Sequence, residues 1–93
     1  MFILNSAILD DFMLKYSPSK NPIQRWVQIV DSAKWRTLVD VRRDFNSVDY
    51  VNGVYIFNIK GNGYRLIADI VFVKQNVFVI DLLTHPEYSR SKF

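Results

Sequence analysis

The first half of the chain and its last third carry different patterns of hydrophobic positions. Up to about residue 45, apolar side chains recur every three or four positions, which is typical of helices with one buried face. In residues 54–83, β-branched and aromatic side chains dominate and alternate with polar ones, which favours strands. Turn-forming residues interrupt this second part at 61–63 and 74–76. The pattern therefore predicts an α+β domain with helices first and an antiparallel sheet of hairpins last.

A short strand and a first helix are predicted at the start of the chain. Residues 1–4 are apolar and suit a short buried strand. Asn5 or Ser6 can cap the helix that follows, because a short polar side chain can accept a hydrogen bond from a free backbone N–H group there. The apolar positions of this helix share one face: Ile8, Leu9, Phe12 and Tyr16.

Two more helices are predicted before the sheet. Asn21 is placed as an N-cap, with Pro22 at the first helical position, and the second helix runs to about Ala33. Thr37 and Asp40 have the spacing of a capping pair and predict a short third helix. Residues 46–52 are polar and are predicted as a turn, so three strands follow this region.

The loop of the first hairpin decides which side chains lie opposite each other. A turn at positions 62–63 is the stronger signal and sets Lys60 opposite Arg65, whereas a turn at 61–62 sets Asn58 opposite Arg65. Both loops are even and place the same residues on the face that packs on the helices. These are Tyr55, Phe57, Ile59, Tyr64, Leu66, Ala68, Ile70 and Phe72.

The second hairpin is predicted to have a three-residue loop at 74–76. A two-residue loop would place Asp81 in the core, and burial of an unpaired carboxylate is costly. The chosen loop sets His85 opposite Arg65, and it also sets Asp69 opposite Asp81, which is unfavourable. It adds further residues to the apolar face: Phe78, Ile80 and Leu82.

Lys60, Arg65 and His85 are thereby predicted to form a row across the polar face of the sheet. Two cations directly opposite each other are normally destabilising, so such a row suits a bound anion. Histidine suits proton transfer, because its unperturbed pKa is about 6.5. Arginine and lysine can stabilise the charge that develops on a phosphorane when a 2′-OH group attacks an RNA phosphodiester. The row is therefore a candidate site for RNA cleavage.

Each of these residues also has a simpler interpretation. Lys60 and Arg65 beside a turn are equally typical of a solvated hairpin tip, and His85 of a strand end. Tyr64 or Tyr88 could stack on a base or orient a phosphate, but Tyr88 is also suited to packing back on the sheet. A further pair, Arg42 and Arg43, is predicted on the outer side of the third helix, as candidate substrate-binding residues or simply as a solvated face.

Composition narrows the class of protein. The chain has 93 residues, which suit one domain over 1–93. It has no cysteine and one histidine, so the sequence indicates neither a metal site nor another cofactor and favours the cytoplasm. Its formal net charge of +3 is compatible with nucleic acid without demonstrating it. No apolar run reaches the roughly 20 residues of a membrane span, and no signal peptide is expected.

Two segments resemble the HigB family of toxins. They are Phe-Asn-Ile-Lys-Gly-Asn-Gly-Tyr-Arg-Leu at 57–66 and Thr-His-Pro-Glu-Tyr at 84–88. The resemblance extends over most of the chain and implies a RelE-like fold. It also implies active-site roles for Lys60, Arg65, His85 and Tyr88. Secondary, substrate-binding roles fall on Asn58, Asn62 and Tyr64, and whether Arg90 or Lys92 replaces a lysine found after the tyrosine in some relatives is open.

The same resemblance implies a function and partners. The expected function is cleavage of mRNA, usually on the translating ribosome, with neutralisation by a HigA antitoxin that carries a helix-turn-helix DNA-binding part. Two other hypotheses compete with this enzyme. A binding module would hold RNA or a partner without cutting, and its RNA binding would survive replacement of His85. An interaction subunit would use the polar face only as a solvated surface, so Lys60 and Arg65 would affect solubility alone.

Overall fold

The order of helices and strands in the computed structural model, which describes residues 1–91, confirms the predicted α+β class. The elements are β1 (Phe2–Leu4), α1 (Ala7–Lys15), α2 (Lys20–Ser32), α3 (Leu38–Asp44), β2 (Asp49–Val51), β3 (Val54–Ile59), β4 (Tyr64–Val71), β5 (Asn76–Thr84) and α4 (His85–Ser89). Single turns of 3₁₀-helix at Ser17–Ser19 and Phe72–Lys74 join α1 to α2 and β4 to β5.

The strands form one mixed sheet in the spatial order β1-β5-β4-β3-β2. The four strands from β2 to β5 are antiparallel neighbours, whereas β1 pairs with β5 in parallel. Residues 46–52, predicted as a turn only, contain the extra strand β2. The short Asp49–Val51 segment has too few residues for an alternating pattern to stand out, so this strand was missed.

The three predicted helices are present, with small differences at their ends. Asn21 was predicted as the N-cap of the second helix, but α2 begins at Lys20, because the 3₁₀ turn before it continues directly into the helix. Pro22 therefore lies inside the first turn. The predicted end near Ala33 is confirmed, since Ala33 is the C-cap. The third helix begins after Thr37, as predicted, although the Thr37 side chain forms no capping hydrogen bond.

One face of the sheet, called the helix face, packs on the helices and forms the core. Trp26 of α2 is buried and meets Phe57 of β3 edge-on, with ring centroids 5.5 Å apart. Phe45, which follows α3, meets the same ring at 5.0 Å. Burial of one such side chain stabilises the fold by about 1.5–3 kcal/mol. The opposite side of the sheet, called the outer face, carries Asn58 and Arg65 and is where the polar chemistry lies.

The first hairpin follows the alternative that places Asn58 opposite Arg65. The turn is centred on positions 61–62, and the Gly63 N–H donates to the Lys60 carbonyl over 3.0 Å. Gly61 has a φ of 60°, the positive value that the first central position of a tight two-residue hairpin turn requires, and Lys60 just before it also has a positive φ, of 54°. The preferred turn at 62–63, and with it the Lys60–Arg65 pair, was therefore wrong. The predicted faces of β3 and β4 are nevertheless right, because both loops are even.

The predicted register of the second hairpin was wrong. Val71 pairs with Asn76, so the loop has four residues, and Val77 and Val79 lie in the core instead of Phe78 and Ile80. A β-bulge at Ile80 then inserts one extra residue opposite β4 and returns Leu82 to the helix face, as predicted. The bulge also keeps Asp81 out of the core.

The first strand was predicted as buried, but β1 is an edge strand. Met1 is buried and Ile3 packs against the core, whereas Phe2 and Leu4 point to the outer face and are exposed. An apolar run has no alternation that could distinguish an edge strand from a central one. Among residues 1–91 no helix is long and apolar enough to cross a membrane.

Candidate functional site

Two segments meet at the tip of the β3–β4 hairpin: the hairpin itself and the end of β5. The last pair between β4 and β5 is Tyr64 with Thr84. Beyond it, the His85 N–H donates to the Gly63 carbonyl over 3.1 Å. The chain then turns into α4 against the same two strands. This contact brings residues 84–88, the second of the two sequence segments described above, beside the hairpin turn.

A capping box fixes the start of α4. The Thr84 N–H donates to Glu87 Oε1 over 2.9 Å, and the Glu87 N–H donates to Thr84 Oγ1 over 3.4 Å. Pro86 occupies the first turn, where its missing N–H costs nothing. The backbone and side-chain hydrogen bonds with Thr84 hold the pKa of the Glu87 carboxyl below its ordinary value of 4.5. This cap at Thr84 and Glu87 was not predicted, although the Thr-x-x-Glu spacing is the signature of one.

The Arg65 guanidinium is held by three groups. It donates to the Tyr64 carbonyl over 3.3 Å and to Asn62 Oδ1 over 3.5 Å. Its central carbon lies 5.4 Å from the centroid of the Tyr88 ring, within the range of a cation–π contact. The structure thus brings together three predicted residues, Asn62, Arg65 and Tyr88, around one half-buried cation.

The predicted row of Lys60, Arg65 and His85 is staggered over two levels. Arg65 shares its level with Asn58 and Leu83, whereas Lys60 and His85 lie two positions nearer the hairpin tip. The prediction that His85 lies directly opposite Arg65 was therefore wrong, because the loop before β5 is longer than predicted and β5 contains a bulge. The three residues remain at the same end of the sheet. Lys60, Arg65, His85 and Tyr88 are called the hairpin-tip site below.

This site carries positive charge that no acid neutralises. Among the residues that the structure describes, the one ion pair within 4.0 Å joins Arg43 to Asp40 on α3. Lys60 and Arg65 consequently have no carboxylate partner there. Lys60 and His85 are exposed, and Arg65 is partly exposed. An anionic group from solution can reach all three.

Other predicted residues are placed differently. Tyr64 lies on the helix face, where its ring meets Phe12 edge-on at 5.2 Å. Its role in substrate binding stays a prediction, as do those of Arg42 and Arg43, which are exposed on α3. Arg90 is exposed just after α4, and Lys92 lies outside the described residues.

A shallow cleft of about 310 Å³ borders the hairpin-tip site. It runs between α2, the end of α3 and β3, and its polar lining comes from Arg25, Asp44, Asn58 and Lys60. Arg25 and Asp44 gave no signal in the sequence, because the pairing of α2 with β3 is a tertiary contact. A larger cavity of about 640 Å³ lies beside Phe2 and Val73 and contains no predicted site residue.

Residues 1–91 contain no group of three or more histidine, aspartate or glutamate side chains arranged to hold a metal ion. The chemistry of the hairpin-tip site is that of cations, one imidazole and one phenol. Such groups can bind a phosphodiester, donate and accept protons and stabilise negative charge on non-bridging oxygens.

The α+β fold and the cationic hairpin tip agree with the class that the sequence resemblance implied, the RelE-like toxins. Residues 19–91 match the family model for the HigB toxin, a RelE-like toxic component of a toxin–antitoxin system, and the chain belongs to that family. It is 27% identical over 93 residues to the mRNA interferase HigB of Escherichia coli O6:H1, covering 97% of this chain and 90% of that protein. The mRNA interferase toxin HigB of Escherichia coli K12 is 25% identical over 91 residues, covering 95% and 88%. The mRNA interferase HigB of Shigella flexneri matches to the same extent.

Proposed function

We propose that this toxin is an endoribonuclease that cleaves mRNA with the residues of the hairpin-tip site. Family membership and the names of the relatives support the activity. The observation that carries the assignment of the site is the Arg65 guanidinium. This guanidinium is held by Asn62 and Tyr88 and has no acid partner among the described residues. It lies near the start of α4, whose first residue is His85.

The proposed reaction is attack of a ribose 2′-OH on the adjacent phosphorus. A bond forms between O2′ and phosphorus while the bond from phosphorus to the leaving 5′-oxygen breaks, which leaves a 2′,3′-cyclic phosphate and a 5′-OH end. Arg65 and Lys60 stabilise the charge on the non-bridging oxygens. The 2′-OH loses a proton as it attacks, and the leaving 5′-oxygen gains one as its bond breaks; His85 carries out one of these two transfers and solvent water the other. These roles account for the reaction without assigning a metal ion to it.

The other residues of the site have supporting roles in this proposal. The Tyr88 ring holds the Arg65 guanidinium in place through the cation–π contact. Asn58 shares the level of Arg65 and borders the cleft, so it can contact a neighbouring nucleotide. Arg42, Arg43 and Tyr64 remain candidates for contacts further along the RNA.

The setting of the reaction is part of the same proposal. The substrate is mRNA on the translating ribosome, in the cytoplasm, and the antitoxin is of the HigA type with a helix-turn-helix part. The support is the resemblance of residues 57–66 and 84–88 to the HigB family, together with the family match.

Induced expression in bacteria tests the proposal. The wild type should arrest growth and produce new 5′ ends inside translated messages, mapped by primer extension. His85→Ala, Arg65→Ala and Lys60→Ala should each lower cleavage by about 10²-fold or more, the usual effect of removing a proton-transfer group or an oxyanion donor.

Matched controls for these substitutions lie at the other end of the molecule. Lys34 and Arg36 are exposed and line the larger cavity far from the hairpin tip. Lys34→Ala and Arg36→Ala should cleave like the wild type. A harmless wild type that cuts no message would refute the enzyme, and RNA binding that persists in His85→Ala without any cleavage by the wild type would support a binding module instead.

A further inference from the structure

Four apolar side chains form an exposed patch on the outer face, at the end of the sheet opposite the hairpin-tip site. The register places Leu4 beside Phe78, and Phe2 and Val71 on either side of Asn76. Their exposed fractions are 69% for Phe2, 42% for Leu4, 37% for Val71 and 46% for Phe78. Because neighbouring strands lie about 4.8 Å apart, these side chains are contiguous. They are called the apolar corner below.

An unpaired strand edge borders the apolar corner. Within residues 1–91, β1 pairs only with β5, so no strand pairs with its outer edge. Proteins usually shorten, charge or cover such edges, because they pair readily with another chain. Here the edge is short, but Phe2 and Leu4 bring exposed apolar groups to it instead of charges. A partner strand or helix would bury both features at once.

Three carboxylates separate the apolar corner from the hairpin-tip site. Asp69 on β4 lies opposite Phe78 on β5. Two positions nearer the hairpin tip, one row of paired residues crosses four strands in the order Asp81, Ile67, Ile56, Asp49. None of the three forms an ion pair within the described residues. The outer face therefore changes along the strands from basic, at the hairpin tip, through acidic to apolar.

This order of charges restricts what can bind at the apolar corner. RNA is a polyanion and would be repelled by the three carboxylates. A second copy in a symmetric dimer would bring its own three carboxylates against the same surface, because a twofold contact uses the same patch on both subunits. The surface instead suits a protein segment with apolar side chains flanked by lysine or arginine.

We propose that the apolar corner and the three aspartates are the docking surface for the antitoxin, through a segment of that composition. The family is defined as one component of a toxin–antitoxin system, so a partner protein is expected. The inference depends on family membership and not on the cleavage mechanism. Arg65 and Val71 are six residues apart on β4, about 20 Å at 3.3 Å per residue. The apolar corner therefore lies away from the catalytic groups, whereas Asp81 and Asp49, at the level of Ile67, are only two positions along the strands from Arg65.

Binding of the purified full-length toxin to the antitoxin encoded in the same operon tests this proposal. Phe2→Lys and Phe78→Lys each replace an apolar contact of the proposed antitoxin segment with a positive charge. Asp69→Lys replaces a carboxylate with a cation that repels the lysine or arginine of that segment. Each should raise the Kd, measured by calorimetry, by about tenfold or more. Phe2→Lys changes the most exposed member of the corner, so it provides a variant with little risk to the fold, and thermal melts monitored by circular dichroism check all three.

Matched controls lie on α1. Leu14 is 85% exposed and Asp11 is exposed, and both are outside the corner. Leu14→Lys and Asp11→Lys should leave the Kd within about twofold. The proposal is overturned if the corner variants bind like the wild type, if the controls weaken binding equally, or if ultracentrifugation shows a toxin dimer that Phe78→Lys dissociates. Because binding is measured on purified proteins, the test stands even if the chain cleaves no RNA.

Discussion

At the scale of single residues, Arg65 has the most closely defined environment in the hairpin-tip site. A guanidinium can donate to two phosphate oxygens while its face rests on an aromatic ring, whereas an ammonium offers one point of charge. Arg65 already donates to Asn62 and to the Tyr64 carbonyl and lies over Tyr88. Its orientation is therefore set before substrate arrives.

Arg65→Lys keeps the charge and loses this orientation. We expect the rate of RNA cleavage to fall by about ten- to a hundredfold, because the bidentate contact and the stacked geometry are both lost. Single-turnover cleavage of a defined mRNA measures the change. Arg36→Lys is the matched control, and equal rates for Arg65→Lys and the wild type would contradict the proposed role of the guanidinium.

The contribution of Tyr88 to cleavage could come from its ring, which contacts Arg65, or from its hydroxyl group. If the ring acts by holding Arg65, Tyr88→Phe should retain most of the cleavage rate. Tyr88→Ala should lower the rate by about fivefold, because an exposed cation–π contact contributes up to about 1 kcal/mol. The same assay decides the question. Equal losses in both variants would show instead that the hydroxyl takes part.

Lys60 combines chemistry with backbone strain. Its φ of 54° is unusual for a residue with a side chain and costs about 1 kcal/mol relative to glycine. Lys60→Gly should therefore unfold at a slightly higher denaturant concentration than Lys60→Ala, while both are inactive in cleavage. Urea titrations with the cleavage assay separate the two effects, and a less stable glycine variant would rule out this account of the turn.

At the scale of elements, α4 depends on its cap because it has only five residues. A helix this short cannot be stable on its own, so the reciprocal hydrogen bonds of Thr84 and Glu87 and the packing on β4 and β5 hold it. These two residues touch no proposed substrate atom. They position His85 and Tyr88 for the site.

The cap of α4 should be sensitive to pH and to substitution. Because the folded pKa of Glu87 is below 4.5, its stabilising effect is complete above that pH and is lost as the pH falls through the folded value. Glu87→Gln should remove this pH dependence, and Glu87→Ala should speed the exchange of the α4 amides, because the reciprocal hydrogen bond of the cap is lost. Amide hydrogen exchange of residues 85–89 measures both. Exchange in Glu87→Ala that matches the wild type would mean that packing alone holds the helix.

The hairpins show how much the sequence could predict. The faces of β3 and β4 followed from alternation, since either even loop gave the same answer. The path of β5 did not, because residues 77–80 are all apolar and show no alternation from which the four-residue loop or the bulge at Ile80 could be read. Asp81 stays out of the core, as predicted, and the bulge at Ile80 is how the chain achieves it. For the candidate site, the motifs supplied the candidate residues, whereas the level at which His85 lies depended on the register of β5.

At the scale of the whole molecule, stability and activity should respond differently to salt. The one ion pair in the described residues is exposed on α3, and pairs of that kind contribute about 0–1 kcal/mol. The fold rests instead on its apolar core. RNA binding by unpaired cations, in contrast, weakens steeply as salt rises.

We therefore expect the urea midpoint of unfolding to change little between about 50 and 200 mM salt, whereas RNA affinity falls by about tenfold or more over the same range. Equilibrium unfolding and filter binding measure the two quantities. The Lys34→Ala and Arg36→Ala variants should keep the wild-type salt slope, and Lys60→Ala should reduce it. A salt-independent affinity would mean that the cations do not contact phosphate.

The bulge at Ile80 has a consequence for the evolution of the family. Residues before it on β5 follow one alternation and residues after it the opposite one, so a single-residue deletion there would exchange the two faces for everything that follows, including the segment that ends in Tyr88. Insertions and deletions between the two halves of β5 should consequently be rare among active relatives, or come in pairs. A family alignment in which this strand keeps its length, while the neighbouring loops vary in length, would support that constraint.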